Sequence, residues 1–298
     1  MFFKIIKVIL FSFLLISCGG GDEGSNSNKV FDIEELKIKR SILIYGNNEI
    51  YQRSVFYDSL TKNISNPLII WIHGGGWIYG SPEGDDTLLY NKTNLLKGYP
   101  VLSVGYRLGE EGIFPNAEND VKYVLDFILG KTDCLLCKDE KWNKIKEYAK
   151  NGIILSGGSA GAHIALYLSF FYKDENKILC THSVAGVINL IDLDNYIDYT
   201  KQLIMNHFTS EEKRVEADII RLSLNNIISF PVIITASRKD KLVPFETVLP
   251  LQGANNFIIN IVEGLEDGGH GITIEQIDYY TSKNLEYCKK GPIGPFNF

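Results

Sequence analysis

"ILSGGSAGAHIALYLSFFY", residues 154–172, decides the fold. A short apolar run, suited to a strand buried on both faces, stops at a cluster of glycines. A helix that is apolar nearly all round begins at once, so that helix is expected inside the molecule. Ser159 stands at the junction, in G-x-S-x-G order with Gly157, Gly158, Ala160 and Gly161. A strand that turns abruptly into a helix strains its central residue and leaves no room for side chains beside it. Such a turn lifts a serine Oγ into the cleft above a sheet and sets the Ala160 amide at a helix N-terminus, where an oxyanion is favoured. Glycine-rich turns after strands are common, so a base, an acid and an anion site must come from elsewhere in the chain.

Outward from this turn, strands alternate with helices. "KIKRSILIY" and "IYQRSVFYD", joined through "GNN", predict an antiparallel pair. "LIIWI", "PVLSVGY", "GIILS", "SVAGVINL", "PVIITAS" and "FIINIVEG" predict six further strands. Between them, helices are expected near Thr87–Lys97, over "FPNAENDVKYVLDFIL" with Val121, Val124, Leu125 and Ile128 on one face, and over Lys138–Lys150. A last helix is expected over Glu275–Cys288. This alternation indicates an α/β fold with a mostly parallel central sheet. Residues 192–228 break the rhythm. They are polar, helical in composition and too long for a crossover, and are expected as a cap-like insertion over the carboxyl edge of the sheet, where open α/β sheets bind ligands.

"HGGGW", His73–Trp77, follows an earlier strand. Three consecutive glycines allow backbone N–H groups to converge, which makes Gly75 and Gly76 candidate oxyanion donors beside Ala160. Among the five histidines, His270 in "EDGGHGI" lies in a glycine-rich loop after the last strand and is the candidate base. His73, His163, His182 and His207 fit structural or exposed positions better: a glycine loop, a buried helix, the start of a strand and the insertion. Chain order Ser…Asp…His calls for an acid after a strand between Ser159 and His270. Asp240 in "PVIITASRKDKLVP" fills that place, with Asp192 and Asp194 as runners-up. Glu263, Glu266 and Asp267 stand too close to His270 in sequence to orient it, and suit a solvated face. Trp77 and Tyr106, with Tyr79, Tyr196 and Tyr199, are aromatic residues suited to stacking on a sugar or an aromatic acyl group, and equally to packing.

Taken together, "HGGGW", "VGYRL" with "FPNAENDV", "GGSAGA", "SRKDKLVPF" and "GGHGI" make the chain resemble an α/β-hydrolase of the esterase/lipase group, which includes hormone-sensitive-lipase-like and feruloyl-esterase-like carbohydrate esterases. The motifs run in family order over roughly residues 40–290. The resemblance implies Ser159 as nucleophile, His270 as base, Asp240 as acid, and Gly75, Gly76 and Ala160 as oxyanion donors. It also implies hydrolysis of carboxylic esters without cofactor or metal. An amidase, formamidase or exopeptidase would use the same constellation. A surface protein that kept the fold and lost catalysis would need none of these groups. Two positions depart from the family: Gly158 stands where His, Asp or Glu is usual, and Ala162 where a further glycine is usual. Family members often carry an N-terminal cap, but the region before this sheet is short, which again favours residues 192–228 as lid.

The N-terminus obeys different physics. "MFFKIIK" is followed by the apolar run "VILFSFLLIS", too short to span a bilayer and suited to a signal h-region. "LISC" resembles the lipobox of bacterial lipoproteins, which implies a signal peptide over residues 1–17, lipidation at Cys18, and a membrane-anchored protein facing the periplasm or the cell surface. A polar tether follows over 18–36, then a hydrolase domain over 37–298. The other cysteines, Cys134, Cys137, Cys180 and Cys288, allow three disulfide pairings or buried thiols. No second C-x-x-C or nearby histidine pair completes a zinc site. A net charge of −6 argues against nucleic acid as a partner. The expected partners are a small-molecule or glycan ester and, through Cys18, a membrane; sequence leaves the oligomeric state open.

Overall fold

The first two strands, β1 (Arg40–Ile44) and β2 (Arg53–Tyr57), form the expected antiparallel pair, with Ile42 opposite Val55. The six that follow are β3 (Leu68–Ile72), β4 (Val101–Val104), β5 (Ile153–Gly158), β6 (Ile178–Val184), β7 (Val232–Ser237) and β8 (Phe257–Val262). They form one eight-stranded sheet in the order β1-β2-β4-β3-β5-β6-β7-β8, in which β3 to β8 are parallel and β2 runs against both its neighbours. β3 and β7 are buried along their whole length, as runs of Leu, Ile and Val require in a sheet covered on both faces. The computed structural model describes residues 40–59, 64–84, 98–254, 256–273, 276 and 283–288, all within the compact unit Ile38–Phe298. The expected signal peptide, Cys18, the tether, the helix near Thr87–Lys97 and part of the last helix lie outside the described residues.

Helices α1 (Asn116–Ile128) and α2 (Lys141–Ala149) follow β4. Val121, Val124, Leu125 and Ile128 are all buried on one face of α1. Helix α3 (Ala160–Phe171) leaves β5 directly and buries every residue but Phe171, the inside position its composition predicts. Three helices, α4 (Asp198–His207), α5 (Glu211–Ala217) and α6 (Ile219–Asn225), fill the span between β6 and β7.

Two sequence expectations change. The strand expected over "SVAGVINL" begins earlier, at Ile178, and ends at Val184, while Ala185, at φ 49°, turns the chain away towards the insertion. His182 therefore sits inside β6 rather than at its start. There its ring contacts Thr235 (3.3 Å) and accepts from Asn284 (3.1 Å). The cysteines pair as Cys134–Cys137 and Cys180–Cys288, the second tying β6 to the last helix.

Candidate active site

Ser159 follows β5 with φ 53° and ψ −119°, a conformation that non-glycine residues adopt only when their surroundings impose it. The imposing contacts are local. Its N–H donates to the Val184 carbonyl (2.9 Å), and its carbonyl accepts from the His163 N–H (3.1 Å). A Cβ on Gly161 would lie 2.2 Å from the Ile72 carbonyl oxygen, so α3 starts hard against the end of β3. A Cβ on Gly157 would meet the Gly161 carbonyl at 2.5 Å. Gly158 differs: a Cβ there meets nothing nearer than the Trp71 ring at 3.7 Å, so a side chain can begin at this position without a clash.

The candidate acid and base arrive at the same carboxyl edge, from the loops after β7 and β8. Asp240 is buried, and His270 Nδ1 donates to its Oδ2 at 2.8 Å. The same oxygen accepts from the Gly271 N–H (3.0 Å), while Oδ1 accepts from the amides of Leu242 and Val243 (both 2.9 Å). Four donors thus hold the carboxylate, and its bond to Nδ1 leaves Nε2 as the lone-pair nitrogen of the neutral imidazole. Among the described residues, Ser159 Oγ and His270 Nε2 share no hydrogen bond; such bonds commonly tighten only when substrate is bound. Asp192 and Asp194 are exposed on the loop before α4, and neither contacts His270. Glu263, Glu266 and Asp267 are exposed, with Glu263 3.6 Å from Arg238.

The glycine loop lies beside the serine. Gly74 makes the closest approach, where an added Cβ would be 3.2 Å from Ser159 Cβ. Gly75 at φ 113° bends the loop so that its carbonyl accepts from Ile78 and Tyr79 (3.1 and 2.9 Å), a conformation a side chain would oppose. Among the described residues the amides of Gly75 and Gly76 find no acceptor, and Ala160 is the first residue of α3, whose N–H groups have no partner within the helix. Leu203 of α4 packs on Gly76, and Thr200 of α4 donates to the Leu242 carbonyl (2.9 Å), two residues from Asp240. Helix α4 therefore braces both the glycine loop and the acid loop.

Trp77 and Tyr106 are not substrate platforms. Trp77 is 1% exposed and stacks on His207 (ring centroids 4.8 Å), and Tyr106 is 0% exposed. Tyr106 stacks on His73 at 4.3 Å and donates from its hydroxyl to the His73 carbonyl (2.8 Å), which holds the start of the loop. Burial lowers the His73 pKa to about 4, so that ring is neutral and its Nδ1–H donates to the Gly74 carbonyl (2.7 Å). Tyr196 is likewise buried, whereas Tyr79 is exposed. Burial raises the Tyr199 hydroxyl pKa, with a smaller contribution from Tyr79 nearby. The motif "VGYRL" with "FPNAENDV" also has its cause: Arg107 and Asp120 form a two-pronged pair, Nε to Oδ2 and Nη2 to Oδ1 both at 2.8 Å, which pins the loop after β4 to α1. Sequence reasoning missed the pairing of His207 with Glu118 (2.9 Å), two buried side chains 89 residues apart.

Comparison with known proteins agrees with this architecture. The esterase of the archaeon Pyrobaculum calidifontis superposes with a TM-score of 0.65 at 19% identity, covering 85% of each chain, a likeness of fold. The chain is 30% identical over 135 residues to "FAD-linked oxidoreductase pytB" of Aspergillus terreus, covering 45% of this chain and 14% of that protein. It is 39% identical over 57 residues to "Ethyl acetate hydrolase" of Pseudomonas putida, covering 19% and 18%. The chain thus spans under a fifth of the length of either of these curated relatives. The BD-FAE family model matches residues 55–253, from β2 to beyond the acid loop, and the chain belongs to that family.

Proposed function

We propose that the protein is a serine hydrolase that cleaves carboxylic esters through an acyl-enzyme intermediate. The observation that carries this reading is the Asp240–His270 pair at the carboxyl edge where Ser159 stands on its strained turn. His270 Nε2 takes the Ser159 proton as Oγ attacks the ester carbonyl. The amides of Gly75, Gly76 and Ala160 receive the oxyanion, the glycine loop being held in place by Tyr106 and α4. Asp240 keeps the imidazole in the tautomer that accepts at Nε2 and stabilises the imidazolium once it forms. His270 then protonates the leaving alcohol, and water, activated by the same ring, releases the acid.

For the substrate we propose a short acyl ester, with a glycan as one form of the alcohol. The name of the Pseudomonas putida relative supports the short acyl group. Exposed Tyr79 beside Tyr199, on the glycine loop and α4, supports a ring-shaped alcohol at the rim. The test is turnover of p-nitrophenyl acetate, acetylated glycans, longer acyl esters and aryl amides, with Ser159→Ala as blank. Ser159→Ala should lose at least about 10³-fold in kcat while staying folded. Unchanged ester turnover in that variant would refute the nucleophile, and hydrolysis of amides alone would move the reaction to the C–N bond.

A further inference from the structure

Next to the glycine loop in sequence or in contact are three buried side-chain atoms without a hydrogen-bond partner among the described residues: Trp77 Nε1, Glu118 Oε2 and His163 Nδ1. They belong to one cluster. Trp77 stacks on His207 and meets His163 edge-on at 5.7 Å, while His207 Nε2 donates to Glu118 Oε1 at 2.9 Å. All four residues are at most 3% exposed. Burying a polar group unpaired is costly, and three in contact-linked side chains call for a common partner.

Their donor and acceptor roles complement one another. Trp77 Nε1–H only donates, and the free carboxylate oxygen of Glu118 only accepts. His163 Nε2 faces the Ala217 carbonyl at 3.0 Å and must donate to it. Burial lowers the His163 pKa to about 4, so the ring is neutral and Nδ1 is an acceptor. The set is one donor and two acceptors. A single water molecule satisfies it completely, accepting from Trp77 and donating to Glu118 and His163, with the three bonds usual for an internal water. On their outer side, Trp77 and His207 also line a cavity of about 490 Å³ with Ile78, Ile113 and Met205, which Glu118 and His163 do not reach.

We propose that Trp77, Glu118, His163 and His207 enclose one ordered water that joins the glycine loop to the nucleophile helix, and that Glu118 is a positioning residue for the oxyanion site. Trp77 follows Gly76 directly, and His163 lies four residues after Ser159, its N–H on the Ser159 carbonyl. Glu118 comes from α1 and His207 from α4. The water therefore fixes the spacing between Gly75 and Gly76 on one side and Ser159 and Ala160 on the other. A misplacement of about 1 Å there costs up to about 100-fold in rate. The positioning role rests on the ester-hydrolase reading; the water site does not.

The test has two arms on the full chain. A crystal structure fine enough to show ordered water should place one molecule within hydrogen-bond reach of Trp77 Nε1, Glu118 Oε2 and His163 Nδ1. Density bonded to one of these atoms or to none would overturn the site. In the second arm, Trp77→Phe keeps an aromatic ring against His207 but loses the indole donor and some volume, and Glu118→Leu removes the acceptor together with the bond to His207. Both should lower kcat about 10- to 100-fold with KM nearly unchanged. Glu118→Gln should recover most of that loss, because its amide can donate to a water that still donates to His163. Wild-type kcat in Trp77→Phe, or no recovery in Glu118→Gln, would overturn the positioning role. If instead Ser159→Ala retains activity, the ester-hydrolase reading fails while the crystallographic arm still decides the water site.

Discussion

Asp240 shows what a single carboxylate has to do here. All four of its hydrogen bonds come from donors, so an amide cannot replace it without presenting an N–H to another N–H. Asp240→Asn should therefore turn His270 to the wrong tautomer and lower kcat about 10³- to 10⁴-fold, measured on p-nitrophenyl acetate. A larger loss from Asp192→Asn would place the acid elsewhere. The meeting of Asp240 with His270, and the turn at Ser159, were legible from chain order, because each residue stands after a strand and strand ends are what hydrophobic patterning reveals best. Trp77 and Tyr106 were not. An aromatic side chain carries the same apolar body whether it meets a ligand or a neighbouring histidine, and only the stacking on His207 and His73 decides between them. The pairing of Glu118 with His207 was equally hidden, since nothing local joins a glutamate on α1 to a histidine on α4.

At the level of elements, the strands and helices that buried runs of Ile, Leu and Val were readable, and β6 was displaced. Its sequence, "ILCTHSV", holds four residues that patterning counts as polar or weakly apolar, yet Thr181, His182 and Ser183 are buried. Thr181 pairs with Ser169 at 2.6 Å and His182 with Thr235 and Asn284, so partners in neighbouring elements make these residues acceptable inside. The run "VAGVINL" after it is more apolar but carries the turn at Ala185. The same strand bears Cys180, whose bond to Cys288 closes 108 residues of chain. Replacing both by Ala should lower stability by about 4 kcal/mol, because the unfolded chain regains that loop entropy. Opening Cys134–Cys137, which spans three residues, should cost much less. Urea unfolding of the two double variants compares them directly, and equal losses would contradict the loop-entropy account.

In the molecule as a whole, four of the described histidines are buried: His73, His163, His182 and His207. Burial lowers the pKa of His73, His163 and His182 to about 4. The unfolded chain takes up protons at these rings near the ordinary histidine value of about 6.5, and the folded chain does not until about pH 4. Stability should be level above about pH 7 and fall as pH drops from about 6.5 towards 4, by up to about 1.4 kcal/mol per pH unit for each ring. Urea midpoints across that range test this, and a midpoint that rises on acidification would mean that the rings are charged when folded.

The candidate base also comes from the rim of the fold. His270 follows β8, which among the described strands pairs only with β7 and is half-buried until Val262, and it stands beyond the residues that the family model matches. Sheet margins fray before interiors, so catalysis and the folded state should have separate lifetimes. Under mild heating or low urea, ester turnover should vanish while the far-ultraviolet signal of the sheet and helices persists, and coincident loss of the two would show that the margin is as firm as the centre. The lifetime of the candidate site is then set by the outermost strand and not by the core.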